Sequence, residues 1–157
     1  ERIDLDDYSY DELGQILQLN TENIKFSGDV VSTHIAPALR GNGRAAQKMA
    51  TNIISYCAAN RVKTFKLKDW HNLCDVLDIL PFGMNKTELK YLRALAKHGC
   101  TRLYNLAAKL QMTRSAIQSD AEVYLQKLNF IDVTPHGRQL TVAAKEMFDK
   151  FPDLLDK

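Results

Sequence analysis

Cysteine is scarce in this chain and is not arranged for chemistry. Cys57, Cys74 and Cys100 are odd in number, widely spaced and free of any CxxC or Cys/His ligand pattern. That excludes a disulfide framework and a cysteine metal site, and the expected state is three buried free thiols. No apolar run approaches the roughly 20 residues that a membrane-spanning helix needs. The opening residues Glu1, Asp4, Asp6 and Asp7 lack the basic-then-apolar pattern of a secretory leader. The chain is expected to be a fragment, because it starts on Glu rather than Met, and its free thiols point to a cytoplasmic protein. No GxxxxGK[ST] loop is present to cradle a triphosphate, and neither HExxH nor GxSxG occurs. His34, His71, His98 and His136 are scattered. No independent enzyme and no metal site are expected from this chain alone.

What remains is the composition of a folded protein. Hydrophobic residues make up 45% and charged residues 25% of 157 residues, enough for one ordinary domain or two small ones. The net charge of +2 conceals an asymmetry. Residues 1–83 carry 9 Lys/Arg against 11 Asp/Glu, whereas residues 84–138 carry 9 against 4. A basic bias confined to one half is compatible with phosphate contacts.

Along the chain, Ser9 with Glu12 reads as a capping box that opens a first helix through Leu13, Ile16 and Leu17. A second helix is expected from about Gly28 to Leu39. The strongest period follows: Ala45, Ala46, Met49, Ala50, Ile53, Ile54, Cys57 and Ala58 fall on one face of a helix that starts near Arg44. Thr64 to Lys68 reads as extended. Asp69 is expected to cap a helix carrying Trp70, Leu73, Val76, Leu77 and Leu80. Pro81-Phe82-Gly83 breaks the pattern and sets the expected boundary between domains 1–82 and 83–157.

Downstream, Asn85 with Glu88 caps a helix that ends at Gly99. Leu103 to Leu110 forms a second helix. Thr113 caps a third, with Ile117, Ala121, Tyr124, Leu125 and Leu128 inward. Phe130 to Thr134 reads as a strand, Pro135 to Arg138 as a tight turn, and a last helix begins after Thr141. Three helices followed by a hairpin is the order of a winged helix, so the expected fold class is mainly α: a helical bundle, then a winged helix. The third helix should expose Arg114, Ser115 and Gln118 at its N-terminal end. The wing tip should expose His136 and Arg138. Together these are the candidate DNA contacts. Arg44 opens a helix where its charge opposes the helix dipole, which points to an anion nearby such as a nucleotide phosphate. The alternative at each position is a solvated surface arginine.

Read in order, these pieces resemble the C-terminal part of RuvB, the AAA+ motor of Holliday-junction branch migration. The family writes Gly-Thr-Pro-Arg where this chain has Gly41-Asn42-Gly43-Arg44, and Thr-Pro-Arg-Gly-Arg where it has Thr134 to Arg138. Tyr8 five residues before Leu13, the run from Arg114 to Ile117, and Glu122-Val123-Tyr124-Leu125 follow in matching order. The resemblance implies that residues 1–82 are an AAA+ lid and that Tyr8 lies against the adenine of ATP or ADP. It makes Arg44 a sensor arginine for the outer phosphates. Mg²⁺ and the ATPase core belong to the longer parent. It further implies that Arg114 and Arg138 contact duplex or junction DNA, and that the parent forms a hexameric ring of like subunits and works with a junction-binding partner protein. No membrane association is implied. Val133 and His136 replace basic residues of the family, and Gly43 replaces its proline. Such departures point to a distant relative, for example from a phage or mobile element. A replication initiator or loader, a winged-helix module that binds protein, and a sequence-specific repressor are the alternatives. The DNA reading requires Arg114 and Arg138 to share an exposed face.

Overall fold

The computed structural model describes residues 6–156. The chain divides into two compact units that meet between Met84 and Asn85, two residues beyond the boundary expected from the sequence.

In the first unit, α1 (Tyr10–Leu19) is opened by the capping box. Glu12 N donates to Ser9 Oγ at 3.2 Å, and Ser9 N donates to Glu12 Oε2 at 2.8 Å. The expected second helix is a wide π-helical turn, Val30–Ile35, running into α2 (Ala36–Ala38). Pro37 explains the wide turn: it has no N–H to return to the preceding turn, and its ring crowds a tight one. Next, α3 (Gly43–Asn60) buries Ala46, Met49, Ala50, Ile53 and Cys57, a narrower face than the eight residues expected. Ile54 and Ala58 stay exposed. Strand β1 (Lys25–Phe26) pairs in parallel with β2 (Thr64–Phe65), which sets Phe65 edge-on to Phe26 and Tyr56. Two corrections concern α4 (Leu67–Leu77). Lys66, not Asp69, is the N-cap; Asp69 lies one turn in and accepts the Lys66 N–H at 2.9 Å. Val76 is 77% exposed rather than buried, because α4 stops at Leu77 and its core face is carried by Trp70 and Leu73. The 3₁₀ turn Pro81–Gly83 packs on α2, and Arg40 Nη1 donates to the Gly83 carbonyl at 3.1 Å.

In the second unit, α5 (Lys86–His98) begins with a reciprocal cap between Asn85 and Glu88, with bonds of 2.8 and 2.9 Å. It is followed by α6 (Leu103–Leu110) and then α7 (Arg114–Ile117), which passes through a π-helical stretch, Gln118–Glu122, into α8 (Val123–Lys127). The hairpin β3 (Ile131–Thr134) and β4 (Gly137–Leu140) comes next, with Val133 opposite Arg138. The chain then forms α9 (Val142–Lys150). Leu89, Leu92, Leu95, Leu106, Ile117, Leu125, Ile131 and Phe148 are buried. Full burial of each such side chain contributes roughly 1.5–3 kcal/mol, so this interior is what holds the helix order against the hairpin.

Candidate nucleic-acid interface and the arginine at a helix start

The helix mouth of the second unit is built locally. Thr113 Oγ1 accepts the Ala116 N–H at 3.2 Å and stops the preceding turn from continuing. That cap leaves Arg114, Ser115 and Gln118 exposed, and the structure brings all three together around one shallow hollow with Leu103 and Thr113. No ion pair engages Arg114 among the described residues. Its guanidinium is therefore available at the start of the composite helix 114–127.

The wing is placed by a third strand-like contact. Thr101 N donates to the Arg138 carbonyl at 2.9 Å, and Arg138 N donates to the Thr101 carbonyl at 2.8 Å. This ties β4 to the turn between α5 and α6. Gly137, at φ +139°, has no room for a side chain: a Cβ there would meet the Thr101 carbonyl oxygen at 2.6 Å. His136 is left exposed at the hairpin turn.

Arg138 corrects the sequence reading. It was expected to be exposed at the wing tip, yet its side chain is 13% exposed and turned inward. Its Nε donates to Glu122 Oε1 at 2.7 Å and its Nη2 to Oε2 at 3.5 Å. The Tyr91 hydroxyl donates to the same Oε1 at 2.8 Å. The hydrogen bond to Glu122 raises the Arg138 pKa against the opposing effect of burial. Burial, followed by the hydrogen bond to Glu122, pushes the Tyr91 phenol well above its ordinary range. Arg114 and Arg138 therefore do not present a joint exposed face, so the DNA reading in the form that required both arginines fails, and any nucleic-acid contact here rests on Arg114 with Ser115 and Gln118. The cause is Glu122, a carboxylate at an inward helical position that needs a buried cation. In the sequence, the one signal for it was a Glu directly following the inward Ala121.

In the first unit the structure does bring two candidates together. Tyr8 N donates to the Gly41 carbonyl at 3.1 Å. The Tyr8 ring lies against Gly43, where a Cβ would come within 2.9 Å of Cε2. Asn42 caps α3, with its Oδ1 accepting the Arg44 N–H at 2.9 Å. Arg44 is exposed and, among the described residues, without an ion pair. Tyr8 is 50% exposed beside the same turn. An aromatic face thus lies against residues 41–44, the Asp7 side chain lies against Gly41, and Arg44 makes no ion pair among the described residues.

Residues 81–149 match the family model described as the RuvB C-terminal winged helix domain. The chain resembles the C-terminal part of RuvB. It is 30% identical over 147 residues to the Holliday junction branch migration complex subunit RuvB of Wolbachia sp. subsp. Brugia malayi (strain TRS). That alignment takes in 90% of this chain and 44% of that RuvB. With RuvB of Ligilactobacillus salivarius (strain UCC118) the identity is 26%, over 88% of this chain and 43% of the relative. The chain thus spans less than half the length of the RuvB sequences it matches. A Thermotoga maritima structure described as the RuvB Holliday junction branch migration motor superposes with a TM-score of 0.70. The overlap is 92% of this chain and 50% of that one, at 23% identity; a mutant of the same Thermotoga protein gives 0.70 at 22%. At such identities the likeness to the solved RuvB chains is one of fold. The architecture is accordingly mainly α, a helical unit followed by a winged helix. No helix among the described residues is long and apolar enough to cross a membrane.

Proposed function

We propose that this chain is the C-terminal part of a RuvB-like, ATP-dependent branch-migration motor, in which the winged helix grips DNA and the helical unit senses nucleotide. The observation that carries the reading is the unpaired, exposed Arg114 with Ser115 and Gln118 at the mouth of a helix in a RuvB-type winged helix. A cation and two hydrogen-bonding side chains at that place suit phosphate oxygens and the edges of a groove. His136 adds a second contact from the wing. Arg138 acts differently: clamped to Glu122, it holds the wing in place and leaves phosphate contact to its exposed neighbours. DNA would be held largely through its backbone, with little reading of sequence.

The first unit fits a nucleotide held mainly by a core outside this chain. Arg44, exposed and without an ion pair among the described residues, offers positive charge to the outer phosphates, and Tyr8 offers an aromatic face to the base. ATP with Mg²⁺ supplies the hydrolysis that drives such motors. The part of these residues is to register which nucleotide is present. The partners would be duplex or junction DNA, the ATPase core, neighbouring subunits of a ring and a junction-binding protein.

The test is fluorescence anisotropy of this chain with random-sequence duplexes over a salt series. Log affinity should fall linearly with log salt. Arg114→Ala should weaken all sequences alike and lower the slope by about 1. Absence of duplex binding at low salt would overturn the reading and favour a protein-binding module. Strong preference for one site would favour an initiator or a repressor.

A further inference from the structure

The second unit carries another polar hollow, separate from the helix mouth at Arg114. His98, Thr101, Arg102, Asn105, Lys109 and His136 line it. These residues come from three places: the end of α5, the start and body of α6, and the hairpin turn. No carboxylate lines it, and among the described residues Arg102 and Lys109 make no ion pair. Arg102 is the N-cap of α6, but its side chain caps nothing, so local helix structure does not account for it. The walls are held rigidly. The two backbone bonds between Thr101 and Arg138 fix the hairpin beside the turn that carries Arg102, and Gly137 lets them approach. The charge is unbalanced as well. The His98 imidazole is held below its ordinary range, first by desolvation and then by the ammonium groups of Lys109 and Lys97. Cations gathered around one hollow without a counter-charge repel one another, and an anion placed among them relieves that repulsion.

We infer that this hollow is a second phosphate subsite of the winged helix, taking a phosphodiester group of a nucleic-acid strand between Arg102 and Lys109 on one wall and His136 on the other. The inference rests on the proposed DNA-gripping function and adds where the backbone is held on the wing side. The chemistry is that of a phosphate ester. Arg102 supplies a planar fork of donors, Lys109 a point charge and Asn105 a neutral donor. Both cations are exposed, so their removal leaves the interior intact.

The experiment compares the intact chain with an Arg102→Gln/Lys109→Gln double variant and with Arg114→Ala, each checked for an unchanged thermal midpoint. Duplex affinity is measured over a salt series, and the His98 imidazole is titrated by NMR with and without duplex. The double variant should lower the salt slope by about 2. In the unaltered chain, duplex should raise the His98 pKa, and this rise should vanish in the double variant. Duplex that binds with an unaltered slope in the double variant, and leaves His98 unmoved, would overturn the subsite while the DNA-gripping function stands. Absence of any duplex binding by the unaltered chain at low salt would sink both. A third arm uses inorganic phosphate. If it shifts His98 as far as duplex does at equal phosphate concentration, the hollow is a free-phosphate site and the assignment to a polynucleotide fails.

Discussion

Arg138 Nε stands 2.7 Å from Glu122 Oε1, and the two side chains are only 13% and 6% exposed. Glu122 is buried and Arg138 partly buried, so removing one partner strands the charge of the other away from bulk water. Glu122→Gln should destabilise the second unit by about 3 kcal/mol, and Tyr91→Phe, which removes one donor from a shared oxygen, by about 1 kcal/mol. Urea denaturation checks both. The binding experiment separates clamp from contact. Arg138→Gln, assayed below its own unfolding midpoint, should leave the salt slope for duplex unaltered, whereas Arg114→Ala lowers it. An equal drop for both variants would return Arg138 to the phosphate contacts.

Gly137→Ala should loosen the wing. At φ +139° an L side chain is strained, and its Cβ would sit 2.6 Å from the Thr101 carbonyl oxygen. A loss of more than about 1 kcal/mol is expected. Amide hydrogen exchange should accelerate at Thr101 and Arg138, the two donors of the bridge. Unaltered protection at both would mean that the hairpin yields without cost.

The first unit should weaken in alkali. Burial, then the neighbouring Asp75 charge, pushes the Cys74 thiol from its ordinary 9.0 up to about 12. Burial also raises Cys57, with Asp69 adding to it. A raised folded pKa means that the unfolded thiol ionises first. The stabilisation is therefore complete below about pH 9 and drains away as pH climbs towards 12. Trp70, buried in the same helix as Cys74 and the sole tryptophan, reports unfolding of this unit. The urea midpoint followed by its fluorescence should fall between pH 8 and pH 11, and a Cys57→Ala/Cys74→Ala chain should show a shallower fall. An identical pH profile in that variant would remove the thiols as the cause.

The three thiols should react in two classes. Against the expected burial of all three, Cys100 is exposed, at the turn after α5, while Cys57 is buried and Cys74 partly buried. With a chromogenic disulfide reagent at pH 8, one equivalent should react at once and two only on unfolding. Two fast equivalents would show that α4 opens locally around Cys74.

The local features of this fold were legible because their causes are local. Ser9 with Glu12 and Asn85 with Glu88 are partners three residues apart, and Thr113 and Thr141 cap within one turn. A hydrogen bond over that distance needs nothing from the rest of the chain. The inner faces of α5 and of the helix from 114 followed from the helical period. The exposure of Val76 and Ile54 departs from the expected burial for the converse reason. A period shows which residues share a face, while the width of the buried stripe depends on which neighbours arrive to cover it. The short strand Lys25–Phe26 could not be read at all, since its partner Thr64–Phe65 lies far along the chain.

The candidate site divides along the same line. Order and composition alone determined a mainly helical chain, its winged-helix half, and the exposure of Arg114 beside its threonine cap. Tertiary structure decided the direction of Arg138. Its carboxylate partner lies 16 residues away and its phenol neighbour further still. An arginine just past a hairpin turn has the same sequence neighbours whether its side chain faces water or turns inward. Only the packing of α5 and the hairpin against the Gln118–Glu122 stretch buries Glu122, and an uncompensated buried carboxylate draws the nearest cation to it.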